Sequence, residues 1–188
     1  QTLFRILGTP VHRVSDDQDT ADAISSVEEA AAEAGEIVSW IPTGGSSPVG
    51  ALGYVNAAIE LVEQAVESEI GFHRIVSATS TAGTYAGLLA GMDLLGAGTA
   101  VTGFDTYEGA ARSRAGARTL LDALGPMLDR EPVPEGTVDI LDGYCGDGYG
   151  IPTAEATEAI ELFARTEGIL LDPVYSGKAA AGLIDVVR

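Results

Sequence analysis

Lysine is almost absent from this sequence: of ten basic residues nine are arginine, and Lys178 stands alone. Chemistry that needs an amine nucleophile therefore has a single candidate here. Bases as a class are scarce too, ten against 28 acids, which leaves a formal net charge of −18. That balance excludes nucleic acid as a partner, because every phosphate contact would be made against repulsion. One cysteine, Cys145, leaves no internal disulfide to form, and the plain expectation is a cytoplasmic home. Beside glycines, Cys145 reads as an inert thiol. No apolar run reaches the ~18 residues that cross a bilayer, so no membrane partner is expected. The opening QTLFRILG has neither a basic start nor a cleavage site. It also lacks a methionine, as though the chain began within a helix, and the expectation is that an N-terminal portion is missing.

What is present suffices for a packed core. The chain is 46% hydrophobic over 188 residues, the size of one domain with part of a second. Its acids are spread through helical stretches (Asp16, Asp17, Asp19 and Asp22, then Glu28, Glu29 and Glu33) rather than gathered in a tail. A solvated acidic surface with almost no lysine fits a salt-loving organism, in which counterions screen the self-repulsion; an ordinary acidic protein is the alternative.

Short apolar runs alternate with longer amphipathic stretches. Strands are expected at residues 10–14 (PVHRV), 37–41 (IVSWI), 74–78 (RIVSA), 100–104 (AVTGF) and 138–141 (VDIL). Helices are expected at 20–34, stopped by Gly35; at 48–68, with Ser47 as cap and Pro48 in the first turn; from Thr84; at 108–128; at 153–166; and after Ser176. This alternation predicts an α/β fold, an open and mostly parallel sheet with helices on both faces.

Ligands of open α/β sheets bind beyond the carboxyl ends of the strands. Three loops rich in Gly, Ser and Thr occupy such places: Thr43 to Ser47, Thr79 to Thr84, and Asp142 to Pro152. The second passes straight from strand to helix, so its backbone N–H groups and the helix dipole form an anion site. Gly83 permits close approach, and Thr81 and Thr84 add hydroxyls. It has no lysine and no G-x-G-x-x-G pattern, which argues against a Walker or dinucleotide loop and leaves a single phosphate ester.

Four segments carry this further: IPTGGSSPVGALGYV (41–55), IVSATSTAGTYAGLLAGM (75–92), GYGIP (148–152) and EGILLDPVYSGKAAAGLID (167–185). In this order they resemble the family of D-cysteine desulfhydrase, 1-aminocyclopropane-1-carboxylate (ACC) deaminase and L-cysteate sulfo-lyase, and the resemblance spans essentially the whole chain. It implies fold type II of the pyridoxal-phosphate enzymes, the tryptophan-synthase β-like fold. It implies pyridoxal 5'-phosphate as cofactor, a small β-substituted amino acid as substrate and a homodimer. Residues 1–45 would then be part of a smaller domain, and 46–188 the larger cofactor-binding domain.

The resemblance also implies roles. Thr81, Ala82, Gly83 and Thr84 look like the phosphate loop; Tyr175 and Tyr149 look like active-site tyrosines; Ser176 looks like the partner of the pyridine nitrogen. Gly45 and Ser46 lie where the family's substrate-side loop closes over the cofactor. Lys178 is not the family's cofactor-linking lysine, and one turn into a helix it is expected to pair with an acid. His12 and His73 have no partner motif, and each reads as structural or exposed.

The sequence departs from the family in two ways. The Schiff-base lysine, in a G-N-K type segment, has no counterpart here, so this piece alone is not expected to catalyse. Where ACC deaminase has Glu after the motif tyrosine, this chain has Ser176; where it has Cys, this chain has Gly45. A hydroxyl leaves the ring a weaker electron sink than a carboxylate does, which suits loss of a thiolate or sulfite better than ring opening. D-cysteine desulfhydration is therefore the expected activity, with ACC deamination or L-cysteate desulfonation as alternatives. A non-catalytic binder of pyridoxal phosphate, or of phosphate alone, is the rival from another class.

Overall fold

A computed structural model describes residues 2–107 and 109–187. The chain divides into two compact units, Gln1–Ile41 and Pro42–Arg188.

The first unit holds a short helix α1 (Thr2–Ile6) and a longer one, α2 (Asp17–Ala34). Helix α2 starts three residues before the expected Thr20, because the Asp16 carboxylate accepts the Asp19 N–H and caps it there. Gly35 ends it in the left-handed conformation, φ 71°, which suits a glycine. The strands expected at 10–14 and 37–41 are absent: both segments run without regular structure. Their composition favours β geometry, but a strand persists only with a neighbour to share its ladder. Neither segment pairs with another, and Ile37, Trp40 and Ile41 stand 96, 60 and 76% exposed.

The second unit contains α3 (Pro48–Glu67), β1 (Arg74–Thr79), α4 (Gly83–Leu95), β2 (Ala100–Asp105), α5 (Ala110–Met127), β3 (Asp139–Leu141), α6 (Ala154–Thr166) and α7 (Ser176–Val187). The α3 start follows its sequence signal: Ser47 Oγ accepts the Gly50 N–H at 3.0 Å, and Pro48 sits where no N–H is needed. Helix α5 is described from Ala110; Glu108, its expected first residue, lies outside the described residues. The strands form one parallel sheet in the order β1-β2-β3, with Thr79 opposite Asp105 and Phe104 opposite Leu141.

Side-chain alternation along β2 shows how the sheet is covered. Val101, Gly103 and Asp105 face α4 and α5: a Cβ at Gly103 would press on the Tyr85 ring of α4, and Asp105 bonds Ser113 of α5. Phe104 faces the other way, against α7, where Gly182 leaves room for its ring. Helices thus cover both faces, as expected for an open parallel sheet. The core is built from α3, α4 and α5 around Val55, Tyr85, Leu121, Leu124 and Ile140. Burial pushes the Tyr85 phenol up to about 12, while its oxygen accepts the Asp139 N–H at 2.7 Å. No helix among the described residues is long and apolar enough to cross a membrane.

Candidate active site

Because all three strands run the same way, their carboxyl ends open on one edge of the sheet. The turns after Thr79, Asp105 and Leu141 are neighbours there, and the candidate site is built from them together with the 43–47 loop.

At the end of β1 the chain turns through Ala82 in the left-handed region, φ 66°, and enters α4 with no cap from the side chain of its own N-cap residue. The first N–H groups of that helix are thus presented at a strand-to-helix junction. Ser46 reaches across from the preceding loop: its Oγ donates to Thr81 Oγ1 at 2.6 Å and accepts the Gly83 N–H at 3.2 Å. Two glycines make this approach possible. A Cβ at Gly83 would lie 2.6 Å from Ser46 Oγ, and one at Gly44 would lie 2.6 Å from Thr81 Oγ1. Ser46, expected on the substrate side, is therefore bonded directly to the expected phosphate loop. Gly45 differs from both: a Cβ there would meet nothing within 4 Å.

Below the loop, Asp105 is fully buried at the end of β2. Its carboxylate accepts the Tyr107 and Gly109 N–H groups at 3.2 and 2.8 Å, and the Ser113 hydroxyl. Ser113 Oγ also lies 3.1 Å from the Ser80 carbonyl, so α5 braces the β1 turn through the same hydroxyl.

The structure brings together the two expected tyrosines. Tyr149 Oη and Tyr175 Oη share a short hydrogen bond, with ring centroids 5.9 Å apart. That bond, then burial, raises the Tyr175 pKa. A third phenol, Tyr107, was not singled out from the sequence; its ring meets Tyr149 edge-on at 5.1 Å, with the Arg112 guanidinium 5.8 Å from the Tyr107 centroid. Its position one turn beyond the end of β2 is the signal that marks it. Cys145 lies beneath, its Sγ donating to the Tyr107 carbonyl at 2.8 Å.

Ser176 opens α7 and is held by Asp172. The Asp172 carboxylate accepts from Val174 N at 2.7 Å, from Tyr175 N and Ser176 N at 2.8 Å, and from Ser176 Oγ at 2.6 Å. Burial pushes this carboxyl upward, but hydrogen bonds from Ser176, Tyr175 and Val174 outweigh it and hold it at about 2. Lys178 is fully buried, and its hydrogen bonds run to the Cys145 and Gly148 carbonyls at 2.6 and 3.3 Å rather than to the expected acid. His12 and His73 are exposed.

The arrangement can take an oxyanion at the α4 start, where the N-cap residue Ala82 supplies no side-chain acceptor for the first main-chain N–H groups, the Thr81 hydroxyl lies beside them, and a Cβ at 44 or 83 would press on Thr81 or Ser46. That is a fit for the phosphate of pyridoxal phosphate. A cavity of about 340 Å³ beside Tyr144 and Lys178 is a poor place for the same dianion, because Glu155, Glu158 and Asp185 line it.

Comparison with known proteins agrees in kind. The family model for pyridoxal-phosphate dependent enzymes matches residues 1–188. The chain is 40% identical over 145 residues to D-cysteine desulfhydrase of Salmonella typhi, a match covering 77% of this chain and 43% of that protein. It superposes on the crystal structure of an ACC deaminase homologue with a TM-score of 0.86 at 32% identity, over 100% of this chain and 56% of that one. The chain spans about half the length of the relatives it matches.

Proposed function

The chain belongs to the family of pyridoxal-phosphate-dependent enzymes, and from that premise we propose that, at the family's full length, it is a lyase that converts D-cysteine to pyruvate, sulfide and ammonia. The observation that carries the reading is the hydrogen-bonded phenol pair of Tyr149 and Tyr175, followed in sequence by a hydroxyl, Ser176, that Asp172 holds.

Thr81, Ala82, Gly83 and Thr84 would hold the phosphate by main-chain N–H groups and hydroxyls, with Ser46 fixing the loop. When bound, pyridoxal phosphate supplies an electron sink for charge left at the substrate's α-carbon. Ser176 would offer the ring nitrogen a neutral hydroxyl by turning its proton away from the Asp172 carboxylate that accepts it, which suits departure of a group that carries off its own charge. Tyr175, its pKa raised by the bond to Tyr149, stays protonated at neutral pH. It is thus suited to be an acid rather than a base, giving the Oη proton to the departing sulfur. Gly45 leaves open space beside this loop for the β-substituent. Lys178 is not the amine that links the cofactor, since it is buried on two carbonyls. That amine is assigned to the family segment these residues do not span. A homodimer of cytoplasmic location is part of the same reading.

The test is side-by-side turnover of D-cysteine, L-cysteate and ACC by the full-length holoenzyme. Sulfide release from D-cysteine is expected to be fastest. Faster release of 2-oxobutanoate from ACC, or of sulfite from L-cysteate, overturns the substrate assignment. Cofactor binding without turnover of any of the three favours a non-catalytic binder.

A further inference from the structure

Lys178, the only lysine of the chain, is fully buried in the first turn of α7. An ammonium withdrawn from water must recover its lost hydration from fixed acceptors. Here those acceptors include the carbonyls of Cys145 and Gly148, at 2.6 and 3.3 Å. Both belong to the Gly-rich turn that carries Tyr149, where Gly146 and Gly150 have φ of 70° and 75°. Such a turn has much conformational freedom to lose and little side-chain packing to fix it. Tyr149 follows directly after the clamped Gly148, and Tyr175 lies three residues before Lys178. Cys145, the other clamped residue, also touches the Tyr107 carbonyl, and the Tyr107 ring meets Tyr149 edge-on. The contacts therefore close a circuit from α7 through Lys178, the Cys145 to Gly148 turn and Tyr149 back to Tyr175 at the foot of α7.

We propose that Lys178 is a positioning residue for the phenol pair: its ammonium clamps the Cys145 and Gly148 carbonyls to α7 and so sets the meeting of Tyr149 Oη with Tyr175 Oη. A flexible four-carbon stem with several donors at its tip suits this work, because one residue can hold two carbonyls of the same turn. The consequence for turnover rests on the reading of the pair as catalytic; the geometric role does not.

The test is a double-substitution cycle in the full-length holoenzyme with Lys178→Met and Tyr149→Phe, read by turnover and by the titration of Tyr175 followed through ¹³Cζ-labelled tyrosine. The groups that bear on Tyr175 are Tyr149, Asp172 and Tyr107. Each single substitution is expected to lower kcat roughly tenfold with KM little changed, and the double no further, since both remove one interaction. Both singles should also move the Tyr175 titration down, toward an ordinary phenol. Multiplying kcat losses in the double, or an unmoved Tyr175 in K178M, overturns the proposal. A shifted Tyr175 with unchanged turnover supports the clamp and overturns the catalytic reading of the pair instead. If K178M does not fold, Lys178→Gln serves, since its neutral amide is one atom short of spanning both carbonyls. Tyr175 is then expected to shift part of the way, and an unmoved titration overturns the clamp.

Discussion

Asp172 and Ser176 are bonded to each other in both directions. The carboxylate accepts the Ser176 N–H and O–H, while Ser176 Oγ accepts the Asp172 N–H at 2.8 Å. The hydroxyl proposed for the ring nitrogen thus gives its one proton to a carboxylate and must turn from it to donate elsewhere, and the same carboxylate fixes the backbone of Tyr175.

This pairing predicts a pH signature. The Asp172 carboxyl is lowered from 3.8 to about 2 by folding, so its contribution is fully present above the unfolded value and lost as pH falls through the folded one. Unscreened, that shift corresponds to ~2.5 kcal/mol; solvent access to a half-buried group reduces it to about 1 kcal/mol. Asp172→Asn should be less stable than the parent by that order at pH 7, and the gap should close between pH 4 and 2. Thermal melts of the full-length protein across that range check it; a gap independent of pH contradicts the assignment.

Two glycines near the expected phosphate loop should respond in opposite ways. Gly83→Ala places a Cβ 2.6 Å from Ser46 Oγ and 3.2 Å from Ser46 Cα, so the Ser46 loop must move. Cofactor affinity, read by fluorescence titration of the full-length apoenzyme, should fall about tenfold or more, on the order of 1.4 kcal/mol. Gly45→Ala meets open space at φ 63°, which costs about 1 kcal/mol of backbone strain but leaves the cradle intact. Its affinity should change less than about twofold. Equal losses in both variants count against this loop as the phosphate site.

These contrasts also show what was legible in the sequence. Helix ends were readable where a residue's own chemistry decides them, as with Ser47 and Pro48 at the start of α3 and Gly35 at the end of α2. The strands of the sheet were readable as short apolar runs between turn signals, and the helices that follow β1 and β2 pack against them. Residues 10–14 and 37–41 were misread because composition signals extended backbone but not the neighbour a strand requires. The two tyrosines were singled out through motifs, whereas Asp105, at the end of β2, and Tyr107, in the turn after it, belong to no motif and become visible only when strands 74–79 and 100–105 align in register. The hydrogen bonds of Ser46 and Lys178 span at least 35 and at least 30 residues, distances over which local pattern carries no information.

The seat of α7 on the sheet should be intolerant of a single methyl group. A Cβ at Gly182 would press into the Phe104 ring, which is itself fully buried. Gly182→Ala gains ~1 kcal/mol of helix propensity but overpacks a rigid aromatic contact by about 2–3 kcal/mol. A net loss on the order of 1–2 kcal/mol is expected in chemical denaturation of the full-length protein. A stabilised variant would mean that α7 does not rest on Phe104 in solution.

Adjacent serines give the sharpest separation of site from scaffold. Ser46 Oγ joins Thr81 to the Gly83 N–H at the α4 start, and Ser47 Oγ caps α3. Removing a hydrogen-bonded hydroxyl costs about 1 kcal/mol in either place, but the cost should appear in different measurements. In Ser47→Ala the loss falls on folding, so the melting temperature drops while cofactor affinity holds. In Ser46→Ala the Thr81 hydroxyl and the Gly83 N–H lose their common partner at the junction where a phosphate would rest. Cofactor affinity should then fall roughly five- to tenfold with little change in the melt of the apoprotein. If Ser46→Ala leaves affinity unchanged but lowers the melting temperature, the Ser46 to Thr81 contact is a loop tether, and the phosphate belongs elsewhere on the strand edge.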